Sequence, residues 1–321
     1  MRMTGFIKNK LFIKIASYII IGVIFLFLFN SLWINWQKIQ EYNFSFNYVY
    51  LIFSVLILAV STVFMALIWR KIIVQLDNSK PIASLRAIKI FVYSMFGKYL
   101  PGQIWMPLSR VYLATKEGLS KEILALSILY ETIISITAGF LFAFLTLGPS
   151  LSEFYPSFNF YFVVFVVFAG ILSIIILPRV FRMVLKITAK KFKVDINVAK
   201  TSLGSKNVLV IFFYYFVAYA LTGFSFFFFI NSFYHLSMSS ILTIVGGSVL
   251  AVVLGTVAFF APAGLGVRDG ILIVFLGFYF PIGIATLISI ASRIWVTLTE
   301  LTLFFLVFIL FKLRGLIKSN N

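Results

Sequence analysis

Seven charged side chains stand in or beside long apolar runs of this chain: Lys98, Arg110, Glu131, Arg268, Asp269, Arg293 and Glu300. A charge at the centre of an apolar membrane helix costs about 2.5–3.5 kcal/mol on insertion scales, so several together call for mutual pairing or a wet cavity. Two of the cations lie beside helix breakers. Lys98 stands in Gly97-Lys98-Tyr99-Leu100-Pro101-Gly102, and Arg268 in Ala261-Pro262-Ala263-Gly264-Leu265-Gly266-Val267-Arg268-Asp269-Gly270. A half-helix starting at such a break presents free N–H groups and a positive dipole end, which favour phosphate. The spacing therefore predicts an anionic head-group site: Lys98 and Arg268 for the phosphate, Arg110 and Arg293 as supporting cations. Glu131, Asp269 and Glu300 are candidate partners, or proton carriers, or holders of a cationic or hydroxylated part of the ligand. The breaks themselves rest on Gly97, Pro101, Gly102, Pro262, Gly264, Gly266 and Gly270. Arg293 and Glu300, seven apart, share one helix face within about 20°, and Glu131 is free to pair with them from a neighbouring helix. The same seven charges also suit structural ion pairs that tie helices together.

The elements that position these residues follow from composition. Of 321 residues, 62% are hydrophobic and 11% charged, with 27 Lys and Arg against 9 Asp and Glu. Mean hydropathy is +1.09. A soluble domain carries about a quarter charged residues, and a disordered chain lacks this much apolar content. A nucleic-acid binder needs its basic residues on one water-facing stripe, whereas these punctuate apolar runs. The expected class is an all-α polytopic membrane protein. A helix needs about 20 apolar residues to cross the core, and that rule predicts full spans near 11–31, 48–68, 123–147, 158–178, 207–231 and 284–311. Two further stretches, 87–108 and 240–280, are interrupted by Pro and Gly.

Basic residues orient the spans, because short loops rich in Lys and Arg stay cytoplasmic. Twenty-three of the 27 fall at the N-terminus, after the second and fourth spans, before the third, or at the C-terminus; Lys38 alone lies in an expected external loop. Both termini are then cytoplasmic, in a cell membrane. Residues 87–108, flanked by basic clusters on both sides, read as a re-entrant hairpin with its tip at 99–102, or as an interfacial loop. Residues 240–280 read as a hairpin opening outward or as two full crossings. With hairpins the chain has eight membrane segments, and residues 1–150 and 151–321 form an inverted repeat, an arrangement that exposes one midplane site alternately to either side.

Other features are plainer. Zero cysteines exclude disulfides and thiolate sites, and one histidine, His235, excludes a multi-histidine metal centre. No metal or other cofactor is expected, and His235 reads as a loop residue. Phe226 to Phe229 read as lipid-facing, and Trp33, Trp36, Trp69 and Trp105 as interfacial belt residues. The basic 179–206 loop reads as a topology determinant touching anionic lipid.

The Gly97 to Gly102 segment, Arg110 to Gly118, Glu131, Ala261 to Gly270, and Ser292-Arg293 with Glu300 together resemble the transmembrane region of the lysylphosphatidylglycerol synthase family, over roughly residues 10–312. Asp269 stands where the family often has Glu. The resemblance implies a region that moves an aminoacylated phospholipid between leaflets. In bifunctional members a separate soluble domain makes that lipid. With the chain ending at Asn321, a stand-alone member without that domain is expected, and such members resemble accessories of glycolipid or envelope-polysaccharide pathways.

The expectation is thus a lipid flippase without covalent chemistry, moving an aminoacyl-phospholipid, a glycolipid or a polyprenyl-phosphate sugar. Its partners would be membrane lipids, an anionic or lipid-linked substrate, and a glycosyltransferase or lipid-synthesis enzyme, with no nucleic acid. Two alternatives stay open. One is a membrane glycosyltransferase, although the expected external loops are short and offer only Glu41 and Glu153 as catalytic carboxylates. The other is a non-catalytic partner that scaffolds such an enzyme.

Overall fold

The computed structural model describes residue 33 and residues 46–77, 79, 81–100, 104–154, 203–258, 261 and 264–319. The expected spans near 11–31 and 158–178 lie outside the described residues, as do Pro101, Gly102 and Pro262. The described chain is helical: α1 (Tyr48–Leu76), α2 (Ser84–Met95), α3 (Trp105–Thr115), α4 (Lys121–Phe154), α5 (Ser205–Asn231), α6 (Ile241–Val257), α7 (Val267–Leu276) and α8 (Ile282–Ser319). Five helices are long and apolar enough to cross a membrane: α1, α4, α5, α6 with its leading turn, and α8. Their outer faces keep large apolar side chains exposed, such as Ile52, Leu56 and Val60 on α1 and Phe305, Ile309 and Leu313 on α8. Hydrocarbon tolerates such surfaces and water does not.

Helix directions can be read from pairs of contacts. Asn47 caps α1, its side chain accepting from the Val49 and Tyr50 N–H groups. Its own N–H donates to the Ser232 carbonyl just past α5, at 2.7 Å. Further along, the Ser61 hydroxyl donates to the Ala218 carbonyl at 2.9 Å, and Phe64 packs on Tyr214. As numbers rise on α1 they fall on α5, so the two run antiparallel. On α8, Trp295 Nε1 donates to the Ser54 hydroxyl at 3.1 Å, which sets Glu300 about level with the middle of α1.

The two interrupted stretches are both helical hairpins. Arg86, at the start of α2, bonds Glu117, just past the end of α3, at 2.8 Å, so both ends of the first hairpin lie together. The Arg70 Nε donates to the Ile82 carbonyl, which ties those ends to the last turns of α1. The arms of 12 and 11 residues are about 18 and 16 Å long, near half a membrane core. In the second hairpin Tyr279, past the end of α7, donates to the Thr243 hydroxyl near the start of α6, at 2.9 Å. Phe280 packs edge-on against Tyr234, just past α5. The ends of this hairpin therefore lie with the end of α5 and the start of α1. The 10 residues of α7 span only about 15 Å, whereas α6 with its leading turn is of membrane length. Because the end of α5 adjoins the start of α1, the two hairpins enter the bundle from opposite ends.

Composition misplaces two sets of aromatics. Trp69 is fully buried, its indole N–H donating to Ser127 and its ring packed on Phe91. It is a core residue and not part of an interfacial belt. Phe226, Phe227 and Phe229 are also buried, Phe229 stacking on Trp295 at 4.7 Å. Lipid and protein interior are both apolar, so the run alone does not say which one it faces. Trp33 and Trp105 are exposed, and His235 sits in the exposed loop after α5.

Of the glycines assigned to the second break, Gly264 and Gly266 carry positive φ angles of 67° and 83°. A Cβ on Gly264 would also stand 2.8 Å from the Gly255 Cα. Gly270 differs: it lies inside α7, exposed, with open space around it, and takes no part in the break. Gly264→Ala should therefore lower the melting temperature in detergent by several degrees, since a non-Gly residue at positive φ costs about 1–2 kcal/mol before any overlap. Gly270→Ala should match or exceed wild type. Equal melting of the two variants would contradict this packing.

Candidate functional site

The first break brings Lys98 to the hairpin tip through a short 3-10 turn, Phe96–Tyr99, closed by the Leu100 N–H on the Gly97 carbonyl. A Cβ on Gly97 would lie 2.6 Å from the Met106 nitrogen, so only glycine lets the second arm pass this close. From the tip, Lys98 Nζ pairs with Glu300 of α8, and the Tyr99 hydroxyl donates to the other Glu300 oxygen at 2.9 Å. The same hydroxyl is 3.0 Å from that of Thr297.

The second break aims Arg268. Gly266 caps α7, and its N–H donates to Asp269 Oδ2 at 2.9 Å, so the carboxylate neutralises the exposed helix start. Arg293 of α8 grips the same carboxylate with two bonds of 2.6 Å, Nε to Oδ1 and Nη2 to Oδ2. The Ser289 hydroxyl adds a longer bond of 3.3 Å. Asp269 is only 1% exposed. With its neighbour fixed in this way, Arg268 projects beside Gly255, where any side chain would crowd it. Its Nε is buried without a hydrogen-bond partner.

Lys98, Arg268 and Arg293 converge on one cavity of about 420 Å³, lined also by Tyr99, Thr256 and Thr297 and by apolar Val252, Leu265 and Val296. No carboxylate lines it among the described residues. Asp269 and Glu300 stand behind Arg293 and Lys98, each taken up by its cation. The structure therefore gathers Lys98, Arg268, Arg293, Asp269 and Glu300 at one place, along with Gly264 and Gly266. The convergence of cations on this cavity of mixed polar and apolar walls provides hydrogen-bond donors for an anion. It contains no group of three or more acidic or histidine residues suited to a metal among the described residues.

Arg110 and Glu131 are not part of this cavity. Arg110, 3% exposed, pairs with Glu131 at 2.5 Å, bonds the Ser94 hydroxyl, and stacks over Phe91 and Trp69. Glu131 does not reach Arg293 or Glu300, because its partner is the arm next to it. The expected shared cluster is thus two sets, a buried pair between α3 and α4 and a cavity between the hairpin tips. Tyr99, Thr256 and Thr297 are cavity residues that the charges alone do not reveal. Thr297 sits one helical turn from Arg293 and just short of one turn from Glu300, so their common face was a usable signal.

An all-helical bundle with several membrane-length helices, and a polar cavity where two broken helices meet, defines a multi-pass membrane protein. Residues 14–310 match the model of the lysylphosphatidylglycerol synthase TM region, and the chain belongs to that family. Membership ties it to a membrane-lipid-related function. No curated protein and no solved structure matches it.

The two kinds of charge should respond oppositely to mutation. Glu131→Gln leaves Arg110 buried and unpaired, and should cost about 3–5 kcal/mol. Arg268→Met removes a cation whose Nε is buried without a hydrogen-bond partner and should raise the melting temperature in detergent. Equal destabilisation by both would show that Arg268 is a structural residue.

Proposed function

We propose that this protein moves a phosphate-bearing lipid between membrane leaflets, holding its head group in the cavity of Lys98, Arg268 and Arg293. Arg268 carries the argument. A guanidinium whose Nε is buried and unsatisfied is an expense for folding alone, and it makes sense if an anion completes it in the working protein. Phosphate is well suited to a guanidinium and offers acceptors to the hydroxyls of Tyr99, Thr256 and Thr297 around it.

The transport reading draws on the hairpins. They enter from opposite ends and their tips share the cavity, as in transporters built from inverted repeats with broken helices. In this reading residues 1–150 and 151–321 are the two repeats, both termini are cytoplasmic, and the protein lies in the cell membrane as eight segments. Displacing one tip opens the cavity toward one leaflet; displacing the other opens it toward the opposite leaflet. The lipid is bound and released without covalent chemistry, and an enzyme that makes or consumes it is the natural partner. Asp269 and Glu300 serve to hold their cations in place. Arg110 and Glu131 brace the first hairpin and do not meet the head group.

The test is translocation in vesicles, following head-group accessibility of labelled phospholipids at equal protein level. Losing a charged hydrogen bond to phosphate removes about 1.5–3 kcal/mol. Arg268→Gln should therefore slow translocation about tenfold or more. Arg86→Gln, which affects only an exposed surface pair, should translocate like wild type. Undiminished translocation by Arg268→Gln would sink the proposal.

A further inference from the structure

A second cavity lies on the other side of α8. It is a cleft of about 510 Å³ between α1 and α8, walled by Leu51 and Val55 on one helix and Ala291 and Leu298 on the other. Phe229 and Trp295, both buried, form its floor. Packing fixes that floor. Trp295 stacks on Phe229 at 4.7 Å, its indole N–H donates to the Ser54 hydroxyl, and Phe229 meets Phe233 edge-on. Ala291 and Leu298 stand two and five residues from Arg293, about 140–160° around the helix from it. The cleft and the head-group cavity therefore use opposite faces of α8.

The walls decide what can enter. Ser232, Thr299 and Thr302 bring hydroxyls to the lining, and each hydroxyl already donates to a carbonyl three or four residues before it, at 2.6, 2.8 and 2.8 Å. With the indole N–H bonded as well, no side-chain donor is left over for a ligand, and no charged side chain lines the cleft among the described residues. Water or a polar head group would lose hydrogen bonds there and gain none. Ile294 and Leu298 are exposed on a membrane-length helix, so the cleft opens to hydrocarbon. Its shape narrows the choice further. An α-helix about 10 Å across fills about 850 Å³ over two turns, more than the cleft holds. From Leu287 to Thr302 the lining follows α8 for about 22 Å, longer than the half-core of about 15 Å that the chains of one leaflet occupy. A single hydrocarbon chain fits where a second helix does not.

We infer that this cleft binds one acyl chain of a bilayer phospholipid, recognised through the chain and not the head group. The lipid belongs to the leaflet at the end where α1 starts and α5 finishes, because Phe46, Ser232 and Phe233 line the cleft there. Its chain completes the seam between α1 and α8. The test reads Trp295. Full-length protein is reconstituted in phosphatidylcholine bilayers with plain or chain-brominated lipid, and the fluorescence difference between wild type and Trp295→Phe isolates this one indole. Bromine quenches an indole only at near contact, and Trp295 is 6% exposed, so chains on the outer surface do not reach it. In the brominated bilayer its emission should be largely lost. Ala291→Phe, which fills the cleft, should restore that emission, whereas Ile309→Phe, on exposed α8 surface outside the cleft, should not. Thermal melting checks the fold of each variant, and Ala291→Leu is read instead should Ala291→Phe not fold. Arg268→Gln should leave the quenching unchanged, which separates this site from the head-group cavity. Unquenched Trp295 in wild type overturns the inference and points to protein in the cleft, either a second copy or another segment of this chain. Equal quenching in wild type and the cleft-filling variant overturns it too.

Discussion

The clamp on Asp269 is the interaction on which the rest of the site depends. Arg293 from α8, Ser289 one turn before it, and the Gly266 N–H at the start of α7 all converge on one carboxylate that is almost fully buried. This fixes a ten-residue half-helix that is too short to be held by its own backbone bonds. Fixing Asp269 also fixes the direction of Arg268 beside it. The backbone takes two positive φ angles within three residues to get there, and α6 contributes Gly255 so that the arms can close. Break, clamp and cation are one construction.

The first hairpin is built on the same plan with the polarity exchanged. Its second arm supplies a cation, Arg110, to a carboxylate, Glu131, on the long helix that follows. The second hairpin's second arm supplies a carboxylate, Asp269, to a cation, Arg293, on the long helix that follows it. In both, one buried pair holds the returning arm to the next helix. Lys98 and Glu300 then join the first tip to the last helix, the longest-range pairing in the site. Glu131, Asp269 and Glu300 are each used in this bracing, and among the described residues Arg268 forms no ion pair with them.

Much of this was legible in the sequence, for definite reasons. A charge within an apolar run is costly wherever the helix packs, so Lys98, Arg268, Asp269, Arg293 and Glu300 stood out without a structure. The Pro and Gly breaks were equally plain, because no packing restores a straight helix through Ala261 to Gly270. Pairing was not legible. Glu131 looked available to Arg293 and Glu300, yet α4 follows directly on α3 and Arg110 reaches it first. Glu300 finds Lys98 some two hundred residues away, which no local period encodes. Gly270 shares its spacing and neighbours with the true break glycines, and only its helical conformation separates it from them. Trp69 and Phe226 to Phe229 showed the other blind spot: hydropathy does not distinguish lipid from a protein interior.

The most direct test of the account is the contact between Arg268 and a lipid phosphorus. Solid-state NMR on arginine-¹⁵N-labelled protein in phosphatidylglycerol bilayers can measure phosphorus–nitrogen dephasing, and the difference between wild type and Arg268→Gln isolates one guanidinium. A charge-assisted bond places the nitrogen about 4 Å from phosphorus. The account predicts a contribution at that distance in wild type that vanishes in the variant. Identical dephasing in the two proteins would contradict it.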